Sequence, residues 1–122
     1  MGDQALILLV EDEALIRMML VDMIEELGHR VAAEAGQRDK AQLLVEIEEY
    51  NLAILDINLQ GHSVEPVAEA IAARKRPFFF LSGYGSGGVP DQFKGRRVLH
   101  KPCGLQKLKQ TIEAILSEPD LD

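Results

Sequence analysis

Three short runs of the chain are apolar almost without a break: ALILLV (5–10), LAILDI (52–57) and FFFLS (78–82). Runs of this kind suit the central strands of a parallel sheet, which helices cover on both faces. RVAAEA (30–35) and RVLH (97–100) are weaker strand signals. Helix-period segments lie between them. In 13–27, Ile16, Leu20, Met23, Ile24 and Leu27 share one helix face, and Gly28 supplies a C-terminal stop. In 38–49 the stripe is Ala41, Leu44, Val45 and Glu48. In 63–75 Ser63 is a cap, Pro66 is tolerated in the first turn, and Val64, Val67, Ala68 and Ile71 form the buried stripe. In 104–117 the same pattern falls on Leu105, Leu108, Ile112, Ile115 and Leu116. Strands alternating with helices imply right-handed βαβ units, hence an α/β fold with an open, doubly wound, five-stranded parallel sheet. Between the fourth and fifth strands a helix should stand, but 83–96 reads GYGSGGVPDQFKGR, with five glycines and a proline. A short or irregular helix is expected there.

The 122 residues, 47% of them apolar, suffice for one hydrophobic core. No linker, repeat or low-complexity tract divides them, so the expectation is a single domain over 1–122 with a core of about 5–117. Cys103 is the one cysteine, which excludes an intrachain disulfide and fits a reducing, cytoplasmic setting. No apolar run approaches the ~20 residues of a membrane span. MGDQALILLV has no basic leader ahead of its apolar residues, so it reads as a strand and not as a signal peptide. A net charge of −7 gives no electrostatic footprint for nucleic acid. RKR (74–76) and KGRR (94–97) read as solvated helix-end and loop charges.

In an open parallel sheet, ligands bind beyond the carboxyl ends of the strands. The first strand ends in Glu11-Asp12, the third in Asp56, the fourth in Ser82 and the fifth in Lys101-Pro102. Each has an ordinary reading alone: an acidic helix start, a turn aspartate, a Ser-Gly turn, a surface lysine before a helix. Together on one rim they ask for a common cause. Three carboxylates that crowd together repel each other, and a hard divalent cation with oxygen ligands, Mg²⁺ before zinc, resolves the repulsion. His29, His62 and His100 are scattered and offer no soft-metal set. Carboxylates, Mg²⁺, the Lys101 ammonium and the Ser82 hydroxyl are the parts of a phosphoryl-transfer site. Asp56 can then be a nucleophile that becomes an acyl phosphate.

The ordered set EDE, ILDINL, LSG and HKP resembles the receiver domain of two-component response regulators over essentially the whole chain. The resemblance implies the flavodoxin-like strand order 2-1-3-4-5. It makes Glu11 and Asp12 the acidic pair that holds Mg²⁺ with Asp56 and the backbone carbonyl of Asn58. It makes Asp56 the phosphoacceptor, Ser82 the hydroxyl switch residue and Lys101 the lysine that pairs with the phosphoryl group. The implied partners are a histidine kinase or histidine phosphotransfer protein and a downstream protein target. The implied role is a phosphorylation switch or phosphate sink without a DNA-binding output of its own, catalysing only its own phosphorylation and dephosphorylation. The chain departs from the common pattern at Val98, where many receivers have an aromatic three residues before the lysine, and at Cys103, where Phe usually follows the Lys-Pro pair. PFFFLSGYG resembles instead the FATGY-type receivers of alphaproteobacteria, commonly single-domain. That likeness suggests Tyr84 as a switch aromatic and the glycine-rich loop as the mobile element.

Leu15, Met18 and Met19 widen the apolar face of the first helix. Core packing and a kinase-contact surface both account for them. Two further function classes remain beside the receiver. A Mg²⁺-dependent phosphatase of the haloacid dehalogenase type also uses an aspartyl phosphate, but it places its nucleophile after the first strand in a D-x-D pattern, which EDE lacks. A flavodoxin-like cofactor binder needs a phosphate-cradling loop after the first strand, where VEDEAL is acidic.

Overall fold

Strand periodicity sorts the core into two layers. In the computed structural model, which describes residues 4–83 and 88–117, the strands β1 (Leu6–Val10), β3 (Leu52–Asp56) and β6 (Phe78–Ser82) are buried almost throughout. Alternate residues point to opposite faces. Leu8, Val10, Ala53, Leu55, Phe78 and Phe80 pack with Val45, Val67 and Ile71 on one side. Ile7, Leu9, Leu52, Ile54, Phe79 and Leu81 pack with Leu20, Ile24, Leu108 and Ile112 on the other. The remaining strands of the sheet are β2 (Arg30–Ala35) and β7 (Val98–His100), and the order β2-β1-β3-β6-β7 is parallel throughout. This is the flavodoxin-like order expected for the five main strands.

The helices follow the predicted stripes closely. Helix α1 (Ala14–Glu26) buries Leu20 and Ile24. Gly28 ends it at φ 92°, a left-handed conformation that favours glycine, and the His29 N–H closes the turn on the Ile24 carbonyl at 3.1 Å. Helix α2 (Arg38–Ile47) buries Ala41, Leu44 and Val45, and Glu48 falls just outside it. Helix α4 (Leu105–Ser117) buries Leu108, Thr111, Ile112 and Ile115. Leu116, expected in that stripe, is exposed, and Thr111 takes a buried place by donating its hydroxyl to the Lys107 carbonyl at 2.9 Å.

One detail differs from the sequence reading and another meets it. The helical start expected at Ser63 is preceded by a small antiparallel hairpin, β4 (Asn58–Leu59) with β5 (His62–Ser63), so helix α3 runs Glu65–Ala73. Gln60 and Gly61 turn the hairpin at φ 51° and 84°. The Ser63 hydroxyl still accepts the Glu65 N–H at 3.1 Å. Between β6 and β7 the expected irregularity is a 3-10 turn, Asp91–Phe93. Phe93 stands edge-on to Phe78, with ring centroids 5.3 Å apart, and the Arg96 guanidinium lies 4.2 Å above the Phe78 ring. Gln92 ties the turn to α3, donating to Glu65 at 2.8 Å and Glu69 at 2.7 Å. Tyr84 and the rest of 84–87 lie outside the described residues. Among those described, no helix is long and apolar enough to cross a membrane.

Candidate functional site

The carboxyl ends of β1, β3, β6 and β7 meet at a cavity of about 390 Å³ lined by Asp12, Glu13, Asp56, Asn58, Ser82 and Lys101 among others. Strand ends bring the residues there because the buried ladder fixes each backbone. Ile57 N–H donates to Leu81 O at 3.0 Å, and Lys101 N–H donates to Ser82 O at 2.8 Å. Asp56 is 4% exposed and Ser82 3%. The Asp56 carboxylate accepts the Asn58 N–H on Oδ1 at 3.2 Å and the Lys101 ammonium on Oδ2 at 3.0 Å.

Glu11 lies beneath the cavity, fully buried. Its carboxylate accepts from Lys101 Nζ at 3.1 Å and from the Glu13 N–H at 3.0 Å. Burial is the main force that pushes the Glu11 carboxyl up to about 7, and the charge of Asp56 adds to it. Asp12 sits at the cavity wall and accepts the Gln60 N–H at 3.0 Å. Burial raises the Asp12 carboxyl, but the Gln60 hydrogen bond and those shared with Asp56 and Glu11 outweigh it, so the net shift is down. Burial also raises Asp56, and Lys101 only partly offsets that. Lys101 holds its proton more tightly than a free lysine. Burial alone would loosen it, but its hydrogen bond to Asp56 and then the Glu11 carboxylate prevail.

One oxygen each from Glu11, Asp12 and Asp56 lies within 4.8 Å of the other two. An oxygen-only donor set of three carboxylates fits a hard divalent cation and not a thiophilic one. Asp12, Asp56, Ser82 and Lys101 thus line one cavity, with Glu11 bonded to Lys101 beside it. Asn58 lines the cavity, and its side-chain oxygen accepts the Gly61 N–H at 2.9 Å.

Two participants were not singled out. Glu13, the third residue of EDE, reaches Lys101 Nζ at 3.4 Å. Its place directly after the acidic pair was the available signal. Arg17 donates Nη1–H to the Glu11 carbonyl at 2.7 Å and Nε–H to Glu34 at 3.1 Å. A lone arginine on a helix gave no such signal. Leu15, Met18 and Met19 are 78%, 63% and 48% exposed, which removes the core-packing account of them. Met19 also borders a small apolar hollow with Met23, Pro102 and Cys103. Cys103 packs against the core layer of α1 and α4, and burial raises its thiol.

No protein-family model matches the chain. The solution structure of SdrG from Sphingomonas melonis Fr1 is 39% identical, with a TM-score of 0.84 over 95% of this chain and 99% of that one. The response regulator REC domain of PhyR from Erythrobacter litoralis is 30% identical, with a TM-score of 0.81 over 98% of this chain and 97% of that one. The chain belongs to the response-regulator receiver domains. SdrG from Pseudomonas melonis Fr1 in its BeF3-activated conformation is similar to this receiver at 40% identity, with a TM-score of 0.79 over 91% of this chain and 95% of that one. The transcriptional regulatory protein PdtaR of Mycobacterium tuberculosis is 29% identical over 115 residues. The match takes in 91% of the receiver but 56% of PdtaR, so the chain spans about half the length of that relative. These relatives lend nothing to the phosphatase alternative.

Proposed function

We propose that this receiver is a phosphorylation switch in which Asp56 takes a phosphoryl group from a phosphohistidine on a histidine kinase or histidine phosphotransfer protein. The observation that carries the reading is the convergence of Glu11, Asp12 and Asp56 on one spot, with Lys101 bonded to two of them at the cavity. In this reading Glu11, Asp12, Asp56 and the backbone carbonyl of Asn58 hold Mg²⁺. Bound there, Mg²⁺ neutralises carboxylate charge and the charge on the transferring group. Asp56 presents a carboxylate oxygen to phosphorus from a backbone that the strand ladder holds still, which lowers the entropy cost of in-line attack. An O–P bond forms as the N–P bond of the donor breaks. Lys101 exchanges part of its contact with Asp56 for a phosphoryl oxygen, and the Ser82 hydroxyl donates to another.

The receiver then does no chemistry beyond its own phosphorylation and the hydrolysis of its aspartyl phosphate. Residues 1–122 act as one domain, core about 5–117, in the cytoplasm and through contact with the kinase and a downstream protein. The existence of a BeF3-activated conformation of SdrG supports the switch reading. Asp56→Asn keeps the shape of the side chain and removes the nucleophile. The variant is expected to fold and to take no label from acetyl phosphate or from a kinase. Labelling at the wild-type rate would show that the acceptor lies elsewhere.

A further inference from the structure

We infer that Arg17 is a positioning residue for the acidic pair, acting on the Glu11 backbone through a slot that Gly36 keeps open. The inference deepens the metal-site reading and rests on it. The registered ladder between β1 and β2 ends at the pair Val10 and Ala35. Glu11 is the next residue, so nothing in the sheet fixes its carbonyl. Its N–H donates to the Ala35 carbonyl at 3.0 Å. Its carbonyl accepts Arg17 Nη1–H at 2.7 Å, while Arg17 Nε–H is held by Glu34 of β2 at 3.1 Å. A planar, forked guanidinium can make both bonds at once, and they lash the start of the β1–α1 loop to the second strand.

Gly36 is the independent witness. A Cβ there would stand 2.8 Å from Arg17 Nη1 and 3.5 Å from the Glu11 carbonyl oxygen. The backbone of Gly36 is not among those at positive φ, so its conformation does not demand glycine. What the missing side chain leaves room for is the guanidinium. Groups that orient metal ligands from behind are commonly worth 10- to 100-fold in metal affinity.

Charge and positioning predict opposite signs, which makes the inference testable. As a mere positive charge near an acidic site, Arg17 repels a cation, and Arg17→Gln would tighten Mg²⁺ binding. As a positioning group, its loss lets the Glu11 carbonyl turn and weakens binding about 10-fold. Calorimetric Mg²⁺ titration of the unphosphorylated protein reads this directly. Gly36→Ala keeps the charge and displaces only the end of a flexible side chain. It is expected to weaken Mg²⁺ binding by a similar factor with little change in Tm. In the Arg17→Gln background Gly36→Ala should add nothing, because the slot is already empty. Arg17→Lys, which cannot span both partners, should recover only part of the affinity. Equal or tighter Mg²⁺ binding by Arg17→Gln overturns the inference. So does a further loss from Gly36→Ala when Arg17 is already gone. If the wild-type protein takes up no Mg²⁺, the metal-site reading fails in the parent itself, before any variant is compared, and this inference falls with it.

Discussion

Lys101 faces more negative charge than one ammonium can neutralise. It contacts Asp56, Glu11 and Glu13 at 3.0, 3.1 and 3.4 Å. Asp56 and Glu11 are both buried, so without a metal the lysine is what makes their burial tolerable. Removing one partner of such a cluster leaves uncompensated charge and commonly costs ~3 kcal/mol. Lys101→Ala is therefore expected to destabilise the metal-free protein by about that much in denaturant unfolding. Saturating Mg²⁺ should shrink the loss, because the cation takes over the same neutralising task. Mg²⁺ affinity itself should hold or rise, since an internal cation no longer competes. The change that follows phosphorylation should fail even where labelling survives. An identical stability loss with and without Mg²⁺ would show that lysine and cation do not share these carboxylates.

Helix α1 has two apolar faces with different fates. Leu20 and Ile24 are fully or nearly fully buried, and Leu15, Met18 and Met19 are left to solvent beside the cavity-bearing rim. Folding gives no return for the second group, and a contiguous exposed apolar patch commonly marks an interaction surface. Met is also well suited to repacking against a partner. The double variant Leu15→Ala, Met18→Ala should change unfolding free energy by no more than ~0.5 kcal/mol, as for other exposed sites. Phosphotransfer from a cognate kinase should slow about 10-fold, the equivalent of roughly 1.4 kcal/mol of lost docking. Labelling by acetyl phosphate should keep its wild-type rate, because a small donor needs no helix surface. Equal slowing with both donors would place the effect in the site and not on the helix.

For the molecule as a whole, the acidic cluster links stability to pH and to metal. The Glu11 carboxyl has an ordinary value of 4.5 and is held at about 7 in the folded protein. Between those values the folded state binds more protons than the unfolded one. Raising pH through that window therefore removes stability from the metal-free protein, and the contribution is fully present only below about 4.5. Mg²⁺ needs the deprotonated carboxylate, so its binding releases that proton and its stabilising effect grows over the same window. Scanning calorimetry should find a larger rise in Tm on adding excess Mg²⁺ at pH 8 than at pH 5.5. The same rise at both values would take Glu11 out of the metal's reach.

Much of this was legible in the chain because it is written in local periodicity. The unbroken apolar runs of β1, β3 and β6 and the stripes of α1, α2 and α4 announced the elements, and a parallel sheet implied that Glu11, Asp12, Asp56, Ser82 and Lys101 share one rim. The hairpin at Asn58–Leu59 and His62–Ser63 was hidden because two-residue strands have no period to read. The fates of Leu15, Met18 and Leu116 were hidden for another reason. Apolar spacing gives the width of a stripe, and only packing against neighbours decides which of its edges is covered. The contacts of Glu13 and Arg17 were less legible still. Residues 17, 34 and 36 say nothing of Glu11 until β2 is laid beside β1, since a hydrogen bond between distant positions depends on a register that no local pattern records. Sequence determined which chemistry would assemble and where along each strand it would stand. Tertiary structure alone decided which side chains are deprived of water, and that deprivation is what raises Glu11 and binds Lys101 to it.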